Sequence, residues 1–105
     1  IDAVLKPQKL DALVAPTTGP AWLTDTATAD AFPSAGYGAA AVAGYPSLTV
    51  PMGSSSGLPL GITFMGTAWS EPRLIELGYA YEQLTRARKP LEYRTSVAAQ
   101  KSMAP

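Results

Sequence analysis

The chain has 105 residues, of which 47% are hydrophobic and 15% charged, with eight basic and eight acidic side chains and no formal net charge. That balance fits a globular interior and argues against a nucleic-acid partner or an anionic membrane surface. It contains neither Cys nor His, which excludes disulfides, thiolate chemistry, a Ser-His-Asp triad and the usual zinc ligand sets.

Residues 1–10 read as the tail of a helix or a connector, with Asp2, Lys6 and Lys9 on an exposed side and Pro7 as a break. Leu10 to Ala15 form a short apolar run ended by Pro16, which predicts a strand. The stretch Thr17 to Pro33 then combines Pro and Gly punctuation with several Thr and Asp residues and the aromatics Trp22 and Phe32. Loops of this length are uncommon inside compact domains and tend to be functional. Gly36 to Ala43 is rich in small residues and predicts two closely packed helical turns, stopped by Gly44 and Pro46.

Two apolar runs follow, Ser47 to Val50 and Leu60 to Phe64, each bracketed by Pro and Gly, and they predict neighbouring strands with residues 53–57 as an exposed turn. In the second run Leu60, Ile62 and Phe64 point one way and Gly61, Thr63 and Met65 the other, so both faces of the sheet should be covered. No residue from Ala31 to Ser70 is charged. A chain of this length rarely supplies enough layers to cover a central sheet on both sides, which makes it look like part of a larger domain. The longest apolar run, around Ala39 to Tyr45, is far short of the roughly 20 residues that cross a bilayer, so no membrane span is expected.

Ser70 is placed to cap a helix whose first turn holds Glu71 and Pro72 and whose last turn holds Arg86 and Arg88, the charge order that the helix dipole favours. Leu74, Leu77, Gly78, Tyr81 and Leu84 make one apolar stripe, and Glu82 with Arg86 an i,i+4 pair. Gly78 on the buried side predicts close approach to a sheet. Pro90 is expected to end the helix, leaving residues 91–105 as a polar tail that frays around an ordered core of about residues 10–90.

Few of these residues offer chemistry. Gly53-Ser54-Ser55-Ser56-Gly57 has the composition of an anion-binding loop with a nucleophile, but a serine needs a base and none lies between residues 31 and 70, so a flexible turn is the better reading. Asp11 could be a site carboxylate, though a charged residue near a strand end is more often solvated or paired. Among the aromatics, which by default belong to the core, Trp22 and Tyr45 stand beside Pro/Gly turns. Together with Thr17 and Thr18 they are the candidates for a substrate-pocket wall.

Four ordered blocks carry a resemblance: Asp11-Ala-Leu-Val-Ala-Pro-Thr17, Ala43-Gly-Tyr-Pro-Ser-Leu-Thr-Val-Pro-Met-Gly53, Gly57-Leu-Pro-Leu-Gly-Ile-Thr-Phe-Met-Gly66, and Glu71 followed by a helix with Ala80-Tyr-Glu82. From about Leu10 to Pro90 the sequence resembles the C-terminal part of amidase-signature enzymes. The Gly19-Pro-Ala-Trp22 turn and the Phe64 to Pro72 block are more particularly similar to bacterial peptide amidases, which remove the C-terminal amide of peptides. The resemblance implies an α/β fold, the C-terminal portion of an α/β/α sandwich with a mixed sheet, spanning residues 1–105. It also implies hydrolysis of a carboxylic amide to acid and ammonia without cofactor, by a Ser nucleophile, a bridging Ser in a cis peptide and a Lys base. Those residues lie upstream of the matched blocks, so none is carried onto this chain. Lys6, Lys9, Lys89 and Lys101 fall outside the family's lysine context. A Lys kept neutral by its surroundings can take a proton through a second hydroxyl while backbone N–H groups hold the oxyanion.

The resemblance therefore predicts a chain that contributes scaffold and part of a pocket but is inactive alone. Its partners would be the N-terminal part of the amidase and a small amide or peptide amide substrate. Two alternatives remain open: a free-standing α/β binding module, and a fragment of an amidotransferase A-type subunit, which nothing basic in the chain supports. A soluble location in the bacterial cytoplasm or periplasm is expected, with no sequence feature choosing between them.

Overall fold

The computed structural model describes residues 1–24, 26, 27, 32 and 35–90. The expected polar tail, 91–105, and part of the long loop lie outside the described residues. The elements run α1 (Asp2–Gln8), β1 (Leu13–Pro16), α2 (Gly38–Ala43), β2 (Ser47–Ser55), β3 (Leu58–Met65) and α3 (Glu71–Thr85). The result is a mixed α/β arrangement around one three-stranded sheet of order β1-β3-β2, in which both pairings are antiparallel.

The two runs expected as neighbouring strands pair along most of their length, but the turn between them is shorter than the Gly/Ser stretch suggested. Gly53 to Ser55 belong to the ladder, and only Ser56 and Gly57 make the turn, with φ of 51° and 75°. Positive φ at both positions is what a two-residue turn needs to match the twist of its flanking strands. A bulge interrupts β2: Pro51 faces Gly61 and Gly53 faces Leu60, so Met52 is the extra residue. Beyond it Thr49 faces Thr63 and Leu48 faces Phe64.

Facing pairs in an antiparallel sheet share a side, so Leu48, Val50, Ile62, Phe64 and Val14 line one face and Thr49, Gly61, Thr63, Met65, Leu13 and Ala15 the other. Helix α3 covers the first. Leu74 and Gly78 are its buried residues, a Cβ on Gly78 would stand 2.5 Å from Leu48 Cδ2, and the Phe64 and Tyr81 rings meet edge-on at 5.8 Å. Coverage is incomplete. Val14 remains 58% exposed on the α3 side, and Ser47 and Thr49 are exposed on the opposite face. On its own face α3 lies over β2 and β3 and leaves β1 open, so this chain alone does not cover the sheet that the sequence marks for burial.

Several details of α3 differ from expectation. The Ser70 hydroxyl donates to the Thr67 carbonyl oxygen at 2.7 Å, and its side chain caps no helical N–H. The helix stops at Thr85, where Arg86 takes a left-handed conformation, five residues before Pro90. Arg86 is therefore the C-cap and Arg88 lies outside, so no basic residue occupies the last turn. The ion pairs of the described residues do not include Glu82 with Arg86; they join Lys6 to Asp2 and Arg73 to both Asp11 and Glu76. Leu84 is 86% exposed, off the buried stripe.

At the N-terminus the helix runs through Pro7 and ends one residue later, with Lys9 left-handed at its cap. Pro7 has no N–H to give the Ala3 carbonyl oxygen, so this short helix forgoes one bond. Leu5 is almost completely buried. The strand predicted from Leu10 to Ala15 begins only at Leu13 and includes Pro16, which an edge strand tolerates.

Candidate functional site

Polar groups gather at the end of β1, where the chain leaves the sheet. Thr17 is tied to β3 and to the returning loop by three groups at once. Its N–H donates to the Gly61 carbonyl oxygen at 2.8 Å, its carbonyl oxygen accepts the Gly36 N–H at 2.9 Å, and its hydroxyl meets that of Thr63 at 2.8 Å. The Thr63 hydroxyl also meets that of Thr49, at 2.9 Å. Three hydroxyls thus run across the sheet from the end of β1 through β3 to β2, with the central residue fully buried and Thr49 exposed.

Gly61 makes room for this row. A Cβ there would lie 2.8 Å from Thr17 Oγ1 and 2.9 Å from Thr49 Cγ2, closer than side chains settle. The next residue along the chain, Thr18, forms an isolated antiparallel bridge with Ala35, and its hydroxyl donates to the Gly19 carbonyl oxygen at 3.0 Å. The bridge thus holds Thr18 and Ala35 together beside the end of β1.

Within it Trp22 packs edge-on against Phe32 with ring centroids 5.6 Å apart, yet Trp22 is 43% and Phe32 55% exposed. In this chain the pair is therefore only partly buried. Of the four candidates, the structure brings Thr17 and Thr18 together at the base of the loop and sets Trp22 within it. Tyr45 lies elsewhere: it is half-buried, its N–H donates to the Ala40 carbonyl oxygen in α2, and its side chain helps to lower the pKa of Asp2 in α1, a shift caused mainly by the hydrogen bond from Lys6.

Asp11, weighed as a site carboxylate, accepts two hydrogen bonds from the Arg73 guanidinium, both at 3.2 Å. Asp11 and Glu76 together raise the Arg73 pKa further above its already high ordinary value. The pair is exposed, at 58% for Asp11 and 49% for Arg73, and ties the start of β1 to the first turn of α3. Ser54, Ser55 and Ser56 are exposed at the tip of the hairpin. No group of three or more His, Cys, Asp or Glu residues that could hold a metal ion occurs among the described residues, and no described helix is long and apolar enough to cross a membrane.

Reading the sequence missed Thr49 and Thr63. Their facing depends on the bulge at Met52, since an unbroken ladder from the Ser56-Gly57 turn would place Val50 opposite Thr63. A glycine in mid-strand, a sign of close approach, was the available signal at Gly61.

Comparison with known proteins places the chain. The family model described as Amidase matches residues 2–75. The crystal structure of the peptide amidase PAM in complex with the competitive inhibitor chymostatin superposes with a TM-score of 0.83 at 66% identity, covering 89% of this chain and 19% of that one. A probable amidase of Arabidopsis thaliana is 50% identical over 54 residues, 50% of this chain and 10% of the plant protein. The A-type subunit of a glutamyl-tRNA(Gln) amidotransferase from Clostridium acetobutylicum is 49% identical over 45 residues, 43% of this chain and 9% of the clostridial protein. The chain thus spans about a fifth or less of the length of each of these relatives.

Proposed function

Because the chain belongs to the amidase family, we propose that it is the C-terminal portion of an amide hydrolase that converts carboxylic amides, C-terminal amides of peptides above all, to the acid and ammonia. The peptide substrate class is supported by the likeness to peptide amidase PAM, which is higher and covers more of this chain than the matched stretches of the plant amidase or the clostridial amidotransferase. In this reading the chain supplies three strands, the covering helix α3 and part of the pocket wall, while the Ser, bridging Ser and Lys of the hydrolytic machinery come from the rest of the protein. The three serines of the hairpin tip take no part in the chemistry, and the chain alone is inactive.

One observation carries the pocket assignment: the half-exposed Trp22–Phe32 pair on a loop whose base is fixed to the sheet by Thr17, Thr18 and Ala35. Ligand crevices in α/β sheets lie where the chain leaves a strand end. Such a wall acts by excluding water and by fitting the group next to the scissile amide, so it discriminates among substrates.

The test is Trp22→Ala in the full-length enzyme, assayed on two peptide amides that differ in the side chain next to the amide. A pocket wall changes the two kcat/KM values by unequal factors with little shift in the denaturant midpoint. A core anchor would cost about 3–5 kcal/mol of stability and leave the ratio constant, and that result would overturn the assignment.

A further inference from the structure

We propose that Thr63 is the positioning residue of the 17–36 loop: its buried hydroxyl fixes Thr17, and through Thr17 the Trp22–Phe32 wall, so that it helps to set which amides are accepted. The inference rests on the reading of that loop as part of the substrate pocket.

The argument begins with protons. Three hydroxyls share two contacts, and Thr63, with no exposed surface, is the middle one. If both neighbours donated to it, the Thr63 proton would be buried without an acceptor, an arrangement that native structures avoid. Thr63 therefore accepts from one threonine and donates to the other, and the row has a direction. Each bond in it depends on the central hydroxyl.

Thr17 is where that dependence reaches the loop. Its backbone already joins Gly61 on β3 to Gly36 at the far end of the loop, and Thr18 is bridged to Ala35. The Thr63 hydroxyl holds the Thr17 side chain over the space left by Gly61, which lacks a side chain at this point. Thr49 is bound to the same hydroxyl from strand β2, with no bond of its own to Thr17 among those of the described residues, so it forms a built-in control. Replacing Thr63 by Val keeps the branched shape and removes both bonds; replacing Thr49 by Val removes one and leaves Thr17 held.

The experiment uses the full-length enzyme and reads two quantities: amide hydrogen exchange of peptides within 17–36, and the ratio of kcat/KM for two peptide amides differing next to the amide. Thr63→Val is expected to raise exchange in the loop, the Gly36 amide included, by about fivefold, and to move the substrate ratio by about threefold. Thr49→Val is expected to leave both at parental values, and Thr63→Ser to restore both. A core role alone would speed exchange across the hairpin as a whole and leave the ratio unchanged. If Thr63→Val fails to fold, Thr17→Val removes the same contact from the less buried side and carries the same expectations. Parental loop exchange in the valine variant, or equal effects from Thr49→Val, overturns the inference. If Trp22→Ala leaves the ratio constant, it is the pocket reading that has failed, and the exchange measurement still decides the role of Thr63.

Discussion

Gly61 has no side chain because two threonines occupy the space one would need. Alanine there would press on Thr17 Oγ1 and Thr49 Cγ2, and overpacking of this kind costs about 1–3 kcal/mol. Gly61→Ala should lower the denaturant midpoint of the full-length enzyme accordingly, more than alanine at Ser54 or Ser55. At the hairpin tip Ser56 sits at φ 51°, a conformation that Asn adopts more readily than Ser. Ser56→Asn creates the Asn-Gly pair that two-residue turns favour and should stabilise the protein by up to about 1 kcal/mol, read as a rise in the same midpoint. Turnover tests the chemical assignment of the serines. Replacing Ser54, Ser55 and Ser56 together by Ala is expected to leave kcat within a few-fold of the parent. A loss of about a hundredfold, some 2.7 kcal/mol of barrier, would show that the tip was wrongly taken as scaffold.

Among the elements, the hairpin and α3 were legible because each has a strong local signature, whereas their edges were not. Period-two apolar runs marked β2 and β3, but a Gly/Ser stretch extends a ladder as well as it breaks one, and nothing local showed that Gly53 to Ser55 would pair. In α3 the stripe through Leu74 and Gly78 was readable from spacing, while Leu84 satisfied the same spacing beyond the reach of the sheet and stayed in solvent. The contact at Gly78 yields a prediction that weighs two opposed effects. Gly78→Ala gains about 1 kcal/mol of helix propensity, yet its Cβ would meet Leu48 Cδ2 at 2.5 Å. Overpacking at about 1–3 kcal/mol outweighs that gain, so a lower thermal midpoint is expected. The exposed Asp11–Arg73 link is weaker, and Asp11→Asn should change stability by less than about 1 kcal/mol and leave turnover unaltered. In α1 the bond from Lys6 holds the Asp2 carboxyl below its ordinary 3.8. That contribution is present above the unfolded value and fades as pH falls through the lower folded one. Asp2→Asn should therefore flatten the dependence of α1 amide protection on pH below about pH 4.

For the molecule as a whole, the decisive fact is how little apolar surface the chain conceals by itself. Its buried apolar side chains, among those described, are Leu5, Ala40, Phe64, Met65 and Leu74, while Val14, Leu23, Val42, Trp69, Ile75, Tyr79 and Leu84 are each more than half exposed. Separated from the rest of an amidase, the chain should self-associate or bind a hydrophobic dye. A sharp cooperative transition of a monomer in size-exclusion and calorimetric measurements would instead favour a free-standing module. The site was less legible than the fold because it depends on contacts distant in sequence. Trp22 drew notice from its turn residues alone, but the hydroxyl row needs Thr17, Thr49 and Thr63 to meet across a bulge that local pattern does not announce. The same contrast between near and far contacts has a kinetic consequence. Strands β2 and β3 are joined by two residues, whereas β1 reaches its partner only after α2 and the whole of β2 have intervened. A hairpin closes in about 1–10 μs, and long loops are slower and entropically costlier to close. The hairpin with α3 laid across it is therefore expected to form the nucleus, with β1 docking last. Substitutions at Ser56 or Gly78 should alter the refolding rate, while substitutions at Val14 should act chiefly on the rate of unfolding.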